Sequence, residues 1–278
     1  MNAPFAGKDG ETAFARLCDE LRPDLFRFAF WLARDRQVAE DVVQESLLRA
    51  WRSRESLAET AAALAGPGSV RAGAPPRLYR RVRLVDIHGT PIKAGALVAD
   101  TNYVFQYPFA ATPCFLLRLP KSAAARMSLR REDGGNYDWS GGVGADRSVV
   151  AFSAICAHKL AYPTREVSFI RYQRERSATS AAQVIHCCAD HSVYDPAQGA
   201  RVVSGPAPQP LAAIVLEHDP ASDGLHALGT VGPEQFDAFY RKYEVKLGLE
   251  YGDRGRAAVD RTTVVRELAQ YCRNTIQC

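Results

Sequence analysis

The chain has 278 residues, of which 47% are hydrophobic and 24% are charged, so it can bury a sizeable core and is not a disordered polymer. Its 35 basic and 31 acidic residues leave a net charge of +4, which does not by itself indicate a nucleic-acid partner. Seven cysteines are too few for a dense disulfide framework, so we expect them to be ligands, buried thiols or bystanders.

Residues 11–59 have the pattern of amphipathic helices. Apolar side chains recur there at spacings of three to five, and Arg and Glu fill the other faces. Asp35-Arg36-Gln37 interrupts the pattern and predicts a turn between two helices. The stripe consists of Leu21, Leu25, Phe28, Leu32, Val38, Val42, Leu47 and Trp51.

The composition changes after this helical segment. Residues 60–78 are rich in Ala, Gly and Pro and predict a linker, whereas short runs rich in Val, Ile, Phe and Tyr follow it. The sequence therefore predicts a mainly β, antiparallel fold preceded by a small α-helical segment, with a late helix over 233–247. The predicted strands are 81–87, 102–106, 114–119, 148–155, 183–188 and 211–217. The predicted divisions are 1–59, 60–78, 79–232 and a C-terminal extension at 233–278.

Two short motifs carry sulfur and nitrogen ligands. Cys156-Ala157-His158 and Cys188-Ala189-Asp190-His191 together supply two thiolates and two imidazoles. This set suits a [2Fe–2S] cluster with Cys₂ on one iron and His₂ on the other. Tetrahedral zinc is a rival, although structural zinc sites favour two cysteines on one knuckle. Unrelated buried cysteines and surface histidines are the other alternative.

The residues after the second motif distinguish these alternatives. Ser192-Val193-Tyr194-Asp195 is followed by Gly205-Pro206-Ala207-Pro208. With these flanks the chain resembles a Rieske [2Fe–2S] iron–sulfur domain from Tyr79 to Val231. The resemblance implies a Rieske-type β fold with two cluster-binding loops. It also implies hydrogen bonds from Ser192 to a bridging sulfide and from Tyr194 to a ligand sulfur. The implied ligands are Cys156, His158, Cys188 and His191.

The second loop admits two registers. Alignment on Ser-x-Tyr-Asp, instead of on the histidine, makes Cys187 the alternative thiolate ligand and puts Asp190 in the place of His191. We prefer Cys188 and His191 because a carboxylate is a poor cluster ligand. The disulfide that links the two loops in quinol-oxidising Rieske proteins is expected to be absent, because its positions hold Ala161 and either Asp190 or Ala189.

A second resemblance covers residues 20–53. The run Ala39-Glu40-Asp41-Val42-Val43-Gln44-Glu45 resembles region 2 of an extracytoplasmic-function sigma factor. The resemblance implies contact with RNA polymerase through Asp41, Gln44, Glu45 and Arg49, which spacings of three and four place on one helix side. The promoter-reading segments of that family do not follow, so no direct DNA binding is expected.

The two resemblances together predict one-electron transfer through a [2Fe–2S] cluster. The chain would act as a redox subunit or carrier of a quinol or cytochrome chain, and its own enzyme activity stays open. The alternatives are a soluble Rieske ferredoxin serving an oxygenase, and a redox-sensing regulator that docks on RNA polymerase. With no signal sequence and no long apolar run, we expect a cytoplasmic location, with peripheral membrane association as the alternative.

Overall fold

The computed structural model describes residues 19, 22, 23, 25, 26, 29, 35–52 and 74–278. The chain divides into two units, residues 1–71 and residues 72–278. Three positions of the predicted helical stripe, Leu21, Phe28 and Leu32, lie outside the described residues, as do residues 60–73 of the predicted linker. Among the helices that are described, none is both long and apolar enough to cross a bilayer.

The first unit contains helix α1, Arg36–Arg52. The helix begins where the sequence predicts a turn, because Asp35 caps it. The Asp35 Oδ1 atom accepts hydrogen bonds from the backbone N–H groups of Gln37 at 2.8 Å and Val38 at 3.0 Å. An aspartate at this position satisfies donors that have no partner within the helix.

In the first turns of α1, the buried positions lie one residue after the predicted ones. Ala39 and Val43 are buried and pack with Ala29, and Leu47 is half-buried against them. Val38 and Val42 are instead 49% and 50% exposed. The small Ala39 allows close helix packing, which a pattern search for large apolar side chains does not detect.

The second unit is built almost entirely from short strands. Its helices are α2 (Phe236–Lys242), α3 (Glu244–Tyr251) and α4 (Leu268–Tyr271). Its strands are β1 (Arg77–Val85), β2 (Tyr103–Gln106), β3 (Pro113–Arg118), β4 (Met127–Arg130), β5 (Asn136–Trp139), β6 (Val149–Ser153), β7 (Val167–Ser168), β8 (Ile170–Gln173), β9 (Val184–Cys187), β10 (Ser192–Asp195), β11 (Arg201–Ser204), β12 (Ala213–Asp219), β13 (Gly224–Val231), β14 (Thr262–Val264), β15 (Arg266–Glu267) and β16 (Asn274–Thr275).

The strands form one large and three small sheets. The large sheet has eight strands in the order β14-β1-β13-β12-β6-β3-β2-β15, and a four-stranded sheet has the order β11-β10-β9-β8. Apart from the parallel pair of β1 and β14, the pairings in these two sheets are antiparallel. The predicted mainly β, antiparallel class with a small helical segment before it is confirmed, and each of the six predicted strands overlaps an observed one.

The residues after β13 pack back onto the strands that precede them. Strand β14 pairs with β1, β15 with β2, and β16 with β7. The predicted late helix is two short helices, α2 and α3. Aromatic side chains fix α2 to the body, with the ring of Phe239 4.8 Å from that of Tyr162. The C-terminal residues therefore lie close to the loops that carry the predicted ligands.

Candidate metal centre

The first ligand loop leaves the end of β6 and folds tightly on itself. The backbone N–H of Cys156 donates to the carbonyl of Ala161 at 2.8 Å, and that of Leu160 donates to the carbonyl of Cys156 at 3.0 Å. Leu160 has a φ of +57°, a left-handed conformation that closes the turn. The loop therefore holds Cys156 in the core, where it is fully buried, and leaves His158 at the surface.

The C-terminal helices support this loop from outside. The Nε2 atom of Gln235 donates to the carbonyl of Ala157 at 3.3 Å, and the Lys242 ammonium donates to the carbonyl of Lys159. These bonds satisfy the backbone carbonyl groups of Ala157 and Lys159. The carbonyls of the loop are thus held by residues that lie 78 and 83 positions away in the sequence.

The second ligand loop is the hairpin between β9 and β10. Cys187 ends β9 and pairs with Ser192, which begins β10. His191 has a φ of +59°, so the turn needs a left-handed residue directly before Ser192. Gly205 packs against this turn so closely that a Cβ atom added to it would lie 2.3 Å from the carbonyl oxygen of His191.

The two loops bring four ligand side chains together. The sulfur atoms of Cys156 and Cys187 and a carboxylate oxygen of Asp190 lie within 4.8 Å of one another. The Oδ2 atom of Asp190 is 3.4 Å from the Cys156 sulfur and 2.9 Å from Nδ1 of His158. The group thus contains two thiols, one imidazole and one carboxylate. We call Cys156, His158, Cys187 and Asp190 the primary group.

Protonation within the primary group is strongly coupled. A hydrogen bond from the Cys187 thiol lowers the pKa of Cys156 to about 7, with a further contribution from Tyr194 and opposition from burial. The pKa of Cys187 is raised, because Cys156 accepts its proton and because it is buried. Burial raises the pKa of Asp190, but hydrogen bonds from the Ser192 backbone, the two thiols and the Ser192 hydroxyl outweigh it, so the net shift is downward. Cys156 is therefore the first of the two thiols to ionise, and Asp190 is a carboxylate near neutral pH.

Two hydroxyl groups line the primary group. The Tyr194 oxygen accepts a hydrogen bond from the backbone of Ala157 at 3.1 Å and lies 3.4 Å from the Cys156 sulfur, so its proton can point to that sulfur. Ser192 is fully buried, and its Oγ atom makes no hydrogen bond of normal geometry among the described residues, although it lies near enough to the Asp190 carboxyl to help lower the pKa of that group. A buried hydroxyl without a partner is costly, so a polar group bound between the loops that accepts its proton would stabilise the site.

The two preferred ligands of the second loop lie elsewhere. Cys188 forms a disulfide with Cys278, and His191 lies beside the buried ring of His186 with 5.8 Å between ring centroids. A disulfide sulfur offers no thiolate, and Cys188 and His191 are not grouped with Cys156. The residues grouped with Cys156 are those of the alternative register, Cys187 and Asp190.

The disulfide also revises the expectations for cysteines. From the sequence, the cysteines are expected to be ligands, buried thiols or bystanders. The structure leaves Cys272 as a free buried thiol and ties Cys278 to the hairpin instead. A pairing across 90 residues leaves no signal in local sequence.

The implied polymerase contacts lie on α1. Asp41, Gln44 and Glu45 are exposed on this helix, and the side chain of Arg49 lies outside the described residues.

Comparison with known proteins finds similarity to both families. Residues 17–65 match the family Sigma-70 region 2. Among solved structures, the chain is similar to the soluble domain of the Rieske protein II (soxF) from Sulfolobus acidocaldarius. The identity is 25%, the TM-score is 0.40, and the similarity covers 55% of this chain and 78% of that chain. The family match covers the segment in which the sequence resembles a sigma factor, so that resemblance is confirmed.

Proposed function

We propose that residues 72–278 transfer single electrons through a [2Fe–2S] cluster held by the primary group. Cys156 and Cys187 would bind one iron, and His158 and Asp190 would bind the other. The main support is that these four side chains converge from two loops, with ligand atoms of Cys156, Cys187 and Asp190 within 4.8 Å of one another. A [2Fe–2S] cluster takes up and releases one electron at a time.

The surroundings of the primary group fit such a cluster. The buried Oγ atom of Ser192 lacks a partner among the described residues, and a bridging sulfide would accept its proton. Tyr194 is placed to donate to the Cys156 sulfur. Both interactions would stabilise the extra negative charge of the reduced state and orient the second loop.

The exposure of the four side chains supports one side of approach for a redox partner. The His158 side chain is 33% exposed, whereas the Asp190 side chain is 3% exposed. Cys156 and Cys187 are fully buried. A redox partner would therefore approach the imidazole of His158, while the buried carboxylate of Asp190 and the two thiolates exclude water from the inner side.

The carboxylate of Asp190 supports a low reduction potential. It carries a negative charge that a neutral imidazole lacks, and negative ligands stabilise the oxidised state. We expect a potential below about −150 mV, the lower end of the range for two-histidine Rieske clusters. This expectation favours a soluble electron carrier over oxidation of a quinol.

Anaerobic reconstitution with iron and sulfide tests the proposal. Iron and sulfide analysis should give two of each per chain, and the reduced protein should give the low-temperature electron paramagnetic resonance signal of a [2Fe–2S] cluster. Cys187→Ser should lose the cluster, whereas Cys188→Ser should keep it. Cys278→Ser is the matched control, because it breaks the same disulfide without changing the hairpin. The ligand assignment would be overturned if Cys187→Ser and Cys278→Ser kept the cluster and Cys188→Ser lost it.

Substitution at Asp190 tests the charge argument separately. Asp190→His supplies the second imidazole of a standard Rieske set, so the cluster should form and its potential should rise above that of the unmodified chain. Asp195→His places the same change outside the primary group and should leave the potential unchanged. A chain that binds only zinc, and no iron or sulfide, would show that the primary group is a mononuclear site instead.

A second candidate function rests on the match of residues 17–65 to Sigma-70 region 2. We infer that α1 can dock on RNA polymerase through the side that carries Asp41, Gln44 and Glu45. Retention of the full chain by immobilised core polymerase is the measurement. Asp41→Lys should weaken retention, whereas Glu40→Lys, about 100° away around the helix, should not. No retention of the unmodified chain removes this function and leaves the cluster proposal untouched.

A further inference from the structure

A second group of sulfur and nitrogen atoms lies on the other face of the hairpin. Successive side chains of a strand point to opposite faces, so His186 and Cys188 share the face opposite to Cys187. The sulfur of Cys278 is bonded to that of Cys188 and lies 3.4 Å from Nδ1 and 3.5 Å from Nε2 of His186. Ligand atoms of His186, His191 and Cys278 lie within 4.8 Å of one another.

The chemistry of this group depends on the disulfide. While the sulfurs of Cys188 and Cys278 are bonded to each other, neither can act as a thiolate ligand. Cleavage of that bond would free the thiolate of Cys278, which lies beside the imidazoles of His186 and His191, and the thiolate of Cys188 next to it. Two thiolates and two imidazoles are a ligand set that Zn²⁺ binds tetrahedrally. His186 is fully buried and His191 is exposed, so the group has a fixed inner ligand and an opening to solvent.

We propose that reduction of the Cys188–Cys278 disulfide creates a zinc site formed by His186, Cys188, His191 and Cys278. A cellular dithiol would supply two electrons and two protons and become a disulfide itself, while the bond between the two sulfurs breaks. Zn²⁺ would then replace the two thiol protons, which are released to solvent. The C-terminus would thus stay tied to the hairpin in both states, by a covalent bond when oxidised and by the metal when reduced.

The zinc site does not depend on the proposed electron transfer. Full-length Cys156→Ser/Cys187→Ser protein removes both thiols of the primary group and serves as the starting chain, so any zinc bound there cannot belong to that group. A water-soluble phosphine is the reductant. It is oxidised to its phosphine oxide, and water supplies the oxygen and the two thiol protons. The probe is Zn²⁺ alone, and metal analysis after gel filtration measures its stoichiometry.

The starting chain should bind no zinc when oxidised and one zinc ion per molecule after reduction. Bound zinc should also protect Cys188 and Cys278 from alkylation, which peptide mass analysis detects. Adding His191→Asn should weaken zinc binding by more than about tenfold, because even loss of a residue that supports a ligand has an effect of about 10–100-fold. His191→Asn leaves the disulfide intact, and asparagine tolerates the left-handed φ at this position.

His88→Asn is the matched control, since His88 is an exposed histidine of a turn outside the group. This variant should bind zinc as the starting chain does. Adding Cys278→Ser should abolish binding in reduced protein, and circular dichroism establishes that the variant is folded. Equal zinc binding before and after reduction, no binding after reduction, or unchanged binding in His191→Asn would each overturn the proposal.

Discussion

Ser192 and Ser168 are both buried serines, but only one of them is satisfied by the chain. The Oγ atom of Ser168 donates to the carbonyl of Ile170 at 2.6 Å, whereas the Oγ atom of Ser192 has no partner among the described residues. A buried hydroxyl without a partner costs about 1–3 kcal/mol. The two serines therefore respond differently to removal of the hydroxyl.

Ser192→Ala should leave the free energy of unfolding of the cluster-free protein unchanged or raise it by up to about 1 kcal/mol, because an unsatisfied polar group is removed. Ser168→Ala should lower it by about 1 kcal/mol, since a hydrogen bond is lost. Denaturant unfolding of both variants measures the difference. A loss in Ser192→Ala equal to that in Ser168→Ala would show that the Ser192 hydroxyl already has a partner in the cluster-free chain.

Tyr194→Phe should lower the reduction potential of the reconstituted protein. The hydroxyl lies 3.4 Å from the Cys156 sulfur, and its hydrogen bond favours the more negative reduced state. A net contribution of about 0.5–1.5 kcal/mol corresponds to roughly 20–65 mV for a one-electron couple. Tyr172→Phe is the control, because the Tyr172 hydroxyl bonds to Asp100 at 2.6 Å, outside the primary group. Equal shifts in both variants would contradict a direct effect on the sulfur.

The hairpin between β9 and β10 requires a glycine in a neighbouring loop. Gly205 has a φ of +86°, and an added Cβ would lie 2.3 Å from the His191 carbonyl oxygen and 2.6 Å from the Ser192 Cα atom. Both contacts are to backbone atoms, which cannot move aside as a flexible side chain does. The Gly-Pro-Ala-Pro loop therefore fixes the position of the second ligand loop.

Gly205→Ala should lower the free energy of unfolding by about 3 kcal/mol or more, because the left-handed conformation and the backbone clash both oppose it. Gly89→Ala separates the two effects. Gly89 has a φ of +81° and no heavy atom within 4 Å of an added Cβ, so it should lose only the conformational cost of about 1–2 kcal/mol. Denaturant unfolding compares the variants, and iron analysis after reconstitution should show poorer retention in Gly205→Ala alone. Similar losses of stability in both variants would remove the argument for close packing at the hairpin.

The strands could be predicted from the sequence, whereas the sequence left two registers open for the ligands. Alternation and turn residues located the strand that ends at Cys187, but two adjacent cysteines leave a one-residue ambiguity that motif spacing cannot resolve. A shift of one residue at the end of a strand moves a side chain from one face of the sheet to the other. Cys187 consequently faces Cys156, and Cys188 faces the C-terminus. The alignment on Ser192 and Tyr194 selects Cys187 and Asp190, the two residues that lie beside Cys156.

At the scale of the whole molecule, contacts distant in sequence could not be predicted. No local pattern pairs Cys278 with Cys188, or His186 with either, because those contacts depend on β16 lying beside β7. The same is true of the bond from Gln235 to the first ligand loop. Local patterns predict which segments are strands, whereas the return of the chain end to the hairpin is a property of the complete fold.

The Cys188–Cys278 disulfide should contribute substantially to stability because it closes a segment with a sequence separation of 90. The loss of chain entropy in the unfolded state corresponds to about 2–5 kcal/mol for a loop of this size, so Cys278→Ser should lower the free energy of unfolding by that amount without reductant. A phosphine should bring the unmodified chain down to the value of the variant and leave the variant unchanged. A chelator must be present, so that no metal replaces the covalent link. Cys272→Ser is the control, because this buried cysteine is a free thiol and should make a similar difference with and without reductant. An effect of the phosphine on Cys278→Ser as large as that on the unmodified chain would show that reduction acts elsewhere than at the C-terminal link.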